Sequence, residues 1–182
     1  MSIELDGKQN LIYSYLPLNF HRNYFKLQFR TTTSSGLIFY LGNTTTSVFS
    51  QYLSLTIVNG FLQFTAKLDK DSNEVFLITK IRIDDGQWHR IEIERFRRRI
   101  TMKLDENYPR RVVSSSRITE FRPYPTYIHI GGYHQLCNYN EQHCRAYRGC
   151  LKNFFLDKYF LDLLNDEINQ NSSLKLCQNI AG

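Results

Sequence analysis

Several features are missing from this 182-residue chain, and each absence narrows the class of protein. No apolar run approaches the roughly 20 residues that span a bilayer, so a transmembrane helix is not predicted. The opening Met1–Glu4 has neither a basic start nor an apolar stretch, so a signal peptide is not predicted either. The sequence contains no convincing helical period, internal repeat, linker or low-complexity tract. We therefore expect either a domain excised from a longer protein or a cytosolic protein.

Catalytic signatures are also missing. No nucleophile elbow, phosphate-binding loop, Ser-His-Asp arrangement or pair of carboxylates accompanies Trp88 and His89. The aromatic residues fall mostly at inward positions of alternating stretches, which favours a place in the core over stacking with RNA bases. Neither an enzyme nor a nucleic-acid-binding protein is therefore expected.

Cysteine is absent from the first 136 residues, and all four cysteines lie between Cys137 and Cys177. An even number clustered at one end is typical of two disulfides formed in an oxidising compartment. The glycosylation triplets at Asn43 and Asn171 point the same way. Cysteine usage and these triplets together favour an extracellular location over a cytosolic one.

What the chain has instead is a series of short alternating stretches. Aromatic residues make up 14% of the sequence, which favours strands. Segments such as Tyr24–Arg30 and Tyr52–Val58 alternate between apolar and polar residues, and Asn59-Gly60 is a strong hairpin signal. Many short strands at intervals of about 8–12 residues predict an all-β sandwich or barrel.

The stretch Ile81–Asp105 predicts a hairpin at the centre of the chain. Apolar and charged residues alternate up to Phe96, and a second alternating stretch follows the basic run Arg97-Arg98-Arg99. We expect one face of the hairpin to join a core that includes Leu37, Phe39, Leu55, Trp88, Ile91, Ile93, Ile100, Met102 and Leu104. On the opposite face, Glu92 and Glu94 should lie across from Arg99, Thr101 and Lys103.

Basic residues are the strongest candidates for ligand binding. The net charge is +6 and the pI is about 9.2, which indicates acidic partners. Six arginines are expected to gather at the hairpin tip and just beyond it: Arg95, Arg97, Arg98, Arg99, Arg110 and Arg111. Arginine suits sulfate because its planar group donates two parallel hydrogen bonds. The alternative is a solvated turn whose charge is partly neutralised by Glu92 and Glu94.

The order of several short motifs resembles the laminin G-like (LNS) domain family. The motifs are Ser35–Tyr40, Tyr52–Leu55 with Asn59-Gly60, Asp85–Arg90, Ile130–Gly132, Tyr147–Asn153 and Asp157–Leu163, closed by Cys177. Each motif is weak alone, but the ordered set covers nearly the whole chain. The stretch Ile81–Arg95 is most similar to laminin α chains, and neurexins, agrin, Crumbs and large cadherins carry similar modules.

This resemblance implies that residues 1–182 form a single laminin G-like domain, a jelly-roll-like (concanavalin-like) sandwich of two curved antiparallel sheets. It implies a non-enzymatic extracellular adhesion or matrix-binding module, in a secreted matrix protein or an ectodomain. Expected partners are cell-surface receptors of the integrin or dystroglycan class, matrix proteins and sulfated glycosaminoglycans such as heparin, without insertion into the membrane. The alternative is a lectin-like or small-apolar-ligand module that uses the cavity between the sheets or the rim.

The cysteines can be assigned further by the same resemblance. Cys150 and Cys177 match the disulfide that closes the family domain, so the resemblance implies that they pair. Cys137 and Cys144 are an additional pair, and a disulfide that closes their short loop is the simpler interpretation. The alternative is a zinc site with mixed ligands, although the spacing matches no common zinc motif: His134, Cys137, His143 and Cys144.

The resemblance also implies a calcium site at one rim of the sandwich, built from aspartates and backbone carbonyls. An aspartate is expected just before the strand that begins at residue 52, but Ser50 and Gln51 stand there. The carbonyl of Leu68 remains, and the loop that would supply a second acid has Glu120 beside Arg122. Because the first carboxylate is missing, we expect no cofactor and no tight calcium site.

Overall fold

The computed structural model describes residues 1–14, 18–42, 51–123, 127–132, 141–165 and 174–178, which form an almost entirely β structure. The strands in chain order are β1 Ile3–Asp6, β2 Leu11–Ser14, β3 Arg22–Arg30, β4 Gly36–Gly42, β5 Tyr52–Val58, β6 Phe61–Lys67, β7 Val75–Ile78, β8 His89–Phe96, β9 Arg99–Leu104, β10 Arg110–Val113, β11 Tyr127–Ile130, β12 Arg148–Leu156, β13 Tyr159–Phe160 and β14 Lys175–Leu176. A single helical turn, α1 Glu141–Cys144, precedes β12 and was not predicted.

The described strands form two antiparallel sheets. The eight-stranded sheet has the order β10-β9-β8-β3-β12-β1-β14, with β13 paired to β12. The six-stranded sheet has the order β2-β11-β4-β5-β6-β7. The predicted all-β sandwich of two antiparallel sheets is confirmed.

Alternation along each strand directs one face of both sheets into a shared core. The rings of Phe25 on β3 and Phe39 on β4 stack across the sandwich with their centroids 4.8 Å apart, and Phe64 and Phe154 pack around them. The predicted core residues are fully buried: Leu37, Phe39, Leu55, Ile91 and Ile93. Leu37 belongs to a small separate cluster with Tyr40 and Tyr52.

The prediction that Trp88 anchors the core is wrong. Trp88 is half-buried on the outer face of the eight-stranded sheet, where Lys152 Nζ lies 3.9 Å from its ring centroid. Parity explains this position, because residues 89, 91 and 93 point inward and residue 88 must therefore point outward. His89 takes the inward position instead and is buried.

Both predicted hairpins are confirmed in detail. Asn59 and Gly60 connect β5 to β6 with positive φ angles of 52° and 83°, as a tight two-residue hairpin turn requires. In the central hairpin, β8 pairs with β9 so that Glu92 lies opposite Lys103 and Glu94 opposite Thr101.

None of the helices in the described part of the chain has the length and apolar character that crossing a membrane requires.

His89 links two turns at the open end of this hairpin. Its Nδ1 lies 2.8 Å from Asp105 Oδ2 and its Nε2 lies 3.0 Å from Asp85 Oδ1. Burial disfavours the charged ring, but the hydrogen bonds and charges of Asp105 and Asp85 outweigh it and raise the pKa of His89. The protonated imidazole therefore ties the turn before β8 to the turn after β9.

We expect His89→Gln to lower the free energy of unfolding more at about pH 5.5 than at about pH 8.5. Because the pKa of His89 is higher in the folded state than its unfolded value of about 6.5, its stabilising contribution is complete below that value. The contribution is then lost as the pH rises through the raised pKa. Urea unfolding of both proteins at the two pH values measures the difference.

The free energy of unfolding must be compared between variant and parent at each pH. Other histidines, present in both proteins, change the stability with pH in the opposite direction. Burial lowers the pKa of His129 and of His143 to about 4, so these side chains favour folding at higher pH. A stability difference between parent and His89→Gln that does not change with pH would contradict the role given to His89.

Candidate functional site: a basic face on the eight-stranded sheet

The outer face of the eight-stranded sheet carries a marked excess of positive charge. The strand registers place these cationic side chains on it: Arg22, Lys26, Arg30, Arg90, Arg99, Lys103, Arg111 and Lys152. On strands β8 and β3 the acids on this face are Glu92 and Glu94. The sequence predicted part of this surface at the hairpin tip, but the basic face extends across β9, β8, β3 and β12.

Arg95 does not belong to this face, and its assignment to the ligand patch is corrected. It is fully buried, because it shares the inward parity of Ile91 and Ile93. Its guanidinium donates to Asn23 Oδ1 at 2.8 Å and to three backbone carbonyl oxygens, those of Phe20, Arg97 and Thr119, at 2.7–3.2 Å. Burial lowers the pKa of Arg95 to about 10, which leaves it charged at neutral pH.

The hairpin tip itself combines an exposed aromatic ring with two arginines. Phe96 is 41% exposed, and the guanidinium carbons of Arg97 and Arg99 lie 5.5 Å and 5.8 Å from its ring centroid. Arg97 has a left-handed backbone with φ of 53°, and its N–H donates to His21 O at 2.7 Å. Neither arginine forms an ion pair with an acid in the described part of the chain.

The other predicted arginines take separate positions. Arg98 is exposed, and its Nη1 donates to Ser116 O at 3.3 Å. Arg111 lies opposite Thr101 on the basic face, whereas Arg110 lies opposite Met102 and therefore points to the other side of the strand. There Arg110 lines a pocket of about 230 Å³ at the edge of the sandwich. Adjacent arginines in a strand cannot share one face, so Arg110 is removed from the patch.

The two glutamates of the basic face are paired with arginines outside the hairpin tip. Glu94 accepts from Arg22 Nη2 at 3.0 Å, and Glu92 accepts a short hydrogen bond from Arg90. The expected positions opposite β9 are therefore correct, but the ion pairs form along β8 and across to β3. As a result, Arg97 and Arg99 keep their charges available.

A second cluster of cations surrounds Trp88 at the other end of β8. Lys152 lies over the indole, and the guanidinium carbon of Arg30 is 5.3 Å from the ring centroid. Arg30 also donates to Gln178 O at 3.2 Å. The indole had been interpreted as core, so sequence reasoning missed this cluster. Strict use of the strand parity would have found it.

Gln51 lies at the rim where the family resemblance implies a calcium site, and it hydrogen-bonds the neighbouring loops. Its side-chain Nε2 donates to Leu68 O at 2.6 Å and to Glu120 O at 2.8 Å, and its Oε1 accepts from the Arg122 N–H at 2.7 Å. The Glu120 carboxylate pairs with Arg122 instead of facing this point. An N–H₂ group directed at carbonyl oxygens repels a cation, so these residues do not fit a calcium ion.

The cysteines agree with the disulfide interpretation where they are described. Cys150 and Cys177 are bonded, with their Cα atoms 6.1 Å apart, and this link joins β12 to the segment after β14. The predicted pairing is confirmed, and its chain-entropy contribution is roughly 3–4 kcal/mol. Cys144 is disulfide-bonded, which removes it as a zinc-ligating thiolate. Cys137 and His134 lie outside the described residues, so the pairing of Cys137 with Cys144 stays a prediction.

His143, another proposed zinc ligand, has a different environment. Its Nε2 lies 2.9 Å from Ser54 Oγ, and its ring packs edge-on against Tyr40 and Tyr52. A serine and a histidine in contact suggest a catalytic pair, but Ser54 is fully buried and His143 is 3% exposed. No substrate can reach this hydroxyl, so the contact stabilises the packing of α1 on the six-stranded sheet.

Three further predictions fall on positions that the structure does not describe. Both glycosylation triplets, at Asn43 and Asn171, lie outside the described residues, as does Ser50 beside Gln51. The glycosylation of these asparagines stays a prediction.

Replacing Arg95 by methionine is expected to destabilise the domain by about 3 kcal/mol or more, because several buried acceptors lose their donor at once. Arg97→Met is the matched control: its side chain is exposed, and we expect a change below about 0.5 kcal/mol. Denaturant unfolding measures both. Equal effects of the two substitutions would show that Arg95 is not the structural centre of the tip.

Known proteins are similar to this chain over most of its length. Human Pikachurin is 25% identical to this chain over 145 residues, which are 79% of this chain and 14% of that protein. The protocadherin-like wing polarity protein stan of Drosophila melanogaster is 24% identical over 181 residues, covering 86% of this chain and 5% of that protein. The chain thus spans only a small part of these relatives.

A solved structure and a family model complete the comparison. The LG4-5 domains of the mouse laminin α1 chain superimpose with a TM-score of 0.81 at 20% sequence identity, covering 97% of this chain and 46% of that one. This likeness shows a shared fold. The family model described as Laminin G domain matches residues 29–158, from the end of β3 to the turn after β12. The chain therefore belongs to the laminin G domain family.

Proposed function

We propose that residues 1–182 form one extracellular binding module, in a secreted matrix protein or an ectodomain, that recognises sulfated glycans through the tip of the basic face. One observation carries the proposal: Phe96 is flanked by Arg97 and Arg99, whose charges have no acidic partner among the described residues. Laminin G domains are typically adhesion and matrix-binding modules, which supports the same class of function. Receptors of the integrin or dystroglycan class and matrix proteins remain the proposed protein partners.

The chemistry of this tip suits a sulfate group. A guanidinium offers planar N–H pairs to an anion, and charge-assisted hydrogen bonds are about twice as strong as neutral ones. The ring of Phe96 limits the freedom of both guanidinium groups through cation–π contacts. Arg95 fixes the backbone beneath them by donating a hydrogen bond to the carbonyl oxygen of Arg97. The site is therefore held in place before a ligand arrives.

The double substitution Arg97→Gln and Arg99→Gln should weaken heparin binding by about tenfold or more at low salt. Each lost contact also removes counterion release, so the dependence of affinity on salt should become less steep, as it does for phosphate polyanions. Calorimetric titration with heparin at several salt concentrations measures both quantities. The melting temperature should barely change, since exposed charges contribute little to stability.

A charge-matched control separates this site from a general effect of net charge. Lys8→Gln with Lys80→Gln removes the same charge from exposed positions outside the hairpin tip, one after β1 and one after β7. We expect it to change heparin affinity only slightly. Equal losses in the two double variants would contradict a defined site at the hairpin tip.

We also propose that this domain binds its partners without calcium. The support is the Gln51 carboxamide, which donates to the two carbonyl oxygens of Leu68 and Glu120 and so joins three loops at the rim. The neutral NH₂ group of Gln51 binds carbonyl oxygens from two loops, as a hard cation coordinated by oxygen ligands would. Gln51 thus holds the rim loops together without an ion.

Millimolar calcium and EDTA should leave the melting temperature of the parent protein equal, whereas Gln51→Asp should be stabilised by calcium. The substitution replaces the donating amide with a carboxylate facing two carbonyl oxygens, which are suitable ligands for this ion. Gln51→Ala serves as the control, since it loses the hydrogen bonds and gains no ligand. Stabilisation of the parent by calcium would overturn the proposal.

A second candidate function rests on the pocket beside Arg110. The centre of the sandwich is filled by stacked phenylalanines, but this edge pocket of about 230 Å³ is lined by Ile81, Met102, Leu104 and Tyr108. A small apolar ligand would fit here better than between the sheets. Native mass spectrometry of the purified domain would detect such a ligand, and Met102→Trp, which fills the pocket, should abolish it.

A further inference from the structure

Two aromatic side chains mark the opposite ends of β8 on the basic face. Trp88 directly precedes the strand, and Phe96 is its last residue. Positions 88 and 96 are an even number of residues apart, so both rings lie on the same side of the sheet. At about 3.3 Å per residue, the two rings are separated by about 26 Å along the strand.

Each ring is accompanied by two basic side chains. At the Phe96 end these are Arg97 and Arg99, and at the Trp88 end they are Arg30 and Lys152. Lys152 Nζ and the guanidinium carbon of Arg30 lie 3.9 Å and 5.3 Å from the centroid of the indole, so two positive charges contact one half-buried ring. The same combination of one ring and two cations therefore occurs twice.

The middle of the face differs from its ends. Glu92 is paired with Arg90 and also accepts a hydrogen bond from the Tyr24 hydroxyl, and Glu94 is paired with Arg22. These carboxylates neutralise the two arginines beside them, although Lys26 and Lys103 still flank Glu92 on the neighbouring strands. Among the described residues of this face, the combination of an aromatic ring and two cations without an acidic partner is thus confined to the two ends of β8.

We propose that the Phe96 cluster and the Trp88 cluster form one bivalent surface, which binds a single sulfated glycan chain long enough to reach both ends of β8. This inference rests on the proposed function, and it adds a second contact point and a minimum ligand length. Once one cluster holds a sulfate, the second binds the same chain at a high effective concentration. A chain shorter than about 26 Å can occupy only one cluster at a time.

The test uses heparin oligosaccharides fractionated from well below to well above this length, titrated calorimetrically onto the parent domain. Affinity should rise gently with length and then by about tenfold or more once a chain spans both clusters. Lys152→Glu should remove this step, while it lowers the affinity for short chains by no more than about twofold, because one of two equivalent clusters is lost.

Lys80→Glu is the matched control, since it makes the same change of charge at an exposed position just after β7 of the six-stranded sheet. We expect this variant to keep the step. Thermal unfolding confirms that both variants are folded, and Lys152→Gln repeats the test with a smaller perturbation if Lys152→Glu is destabilised.

The outcomes separate the two proposals. If Arg97→Gln with Arg99→Gln weakens binding but Lys152→Glu leaves the length dependence unchanged, the bivalent surface is wrong and the glycan site at the tip stands. If the affinity of the parent does not depend on length beyond the shortest chains, the bivalent surface is also wrong. If no oligosaccharide binds, both proposals fail together.

Discussion

The buried guanidinium of Arg95 is the interaction on which the arrangement of the basic face depends. A charged group without access to water is stable only if its N–H groups are hydrogen-bonded, and here the acceptors come from Phe20, Asn23, Arg97 and Thr119. These acceptors belong to separate parts of the chain, so one side chain brings together the start of β3, the tip of the central hairpin and the loop after β10. The exposed arginines of the tip project from a backbone that is held in place by the hydrogen bonds of Arg95.

Strand parity explains both what could be predicted from the sequence and what was predicted wrongly. Alternation gave the strands and the hairpin register correctly, because in a two-layer sandwich one face of each strand must be buried. Trp88 and Arg95 were assigned by residue type, the first to the core and the second to the surface, and in both cases parity was the stronger constraint. The division of Arg110 from Arg111 follows from the same rule. An arginine can occupy an inward position when enough carbonyl oxygens accept hydrogen bonds from its guanidinium group.

Other features could not be found by reading along the chain. The contacts of Gln51 with Leu68, Glu120 and Arg122 join residues up to 71 positions apart, and no local pattern encodes them. The register shift between β3 and β12 lies at Lys152 and Phe155, and it decides which side chains of β12 accompany Lys26 and Gln28 on the outer face. A bulge adds one residue to one strand only, so its place depends on the packing of both strands. The helical turn α1 is too short to show a helical period.

The left-handed backbone of Arg97 has a consequence for the evolution of the hairpin tip. At a φ of 53° a side chain clashes with its own backbone, which costs about 1 kcal/mol compared with glycine. Selection for folding alone would therefore place glycine or asparagine at this turn, as it does at Asn59 and Gly60. An arginine in this position gives up intrinsic turn stability and supplies a positive charge at the exposed tip of the hairpin. Among relatives, the residue at this turn should therefore distinguish domains that carry the proposed polyanion surface from domains that have a more stable hairpin instead.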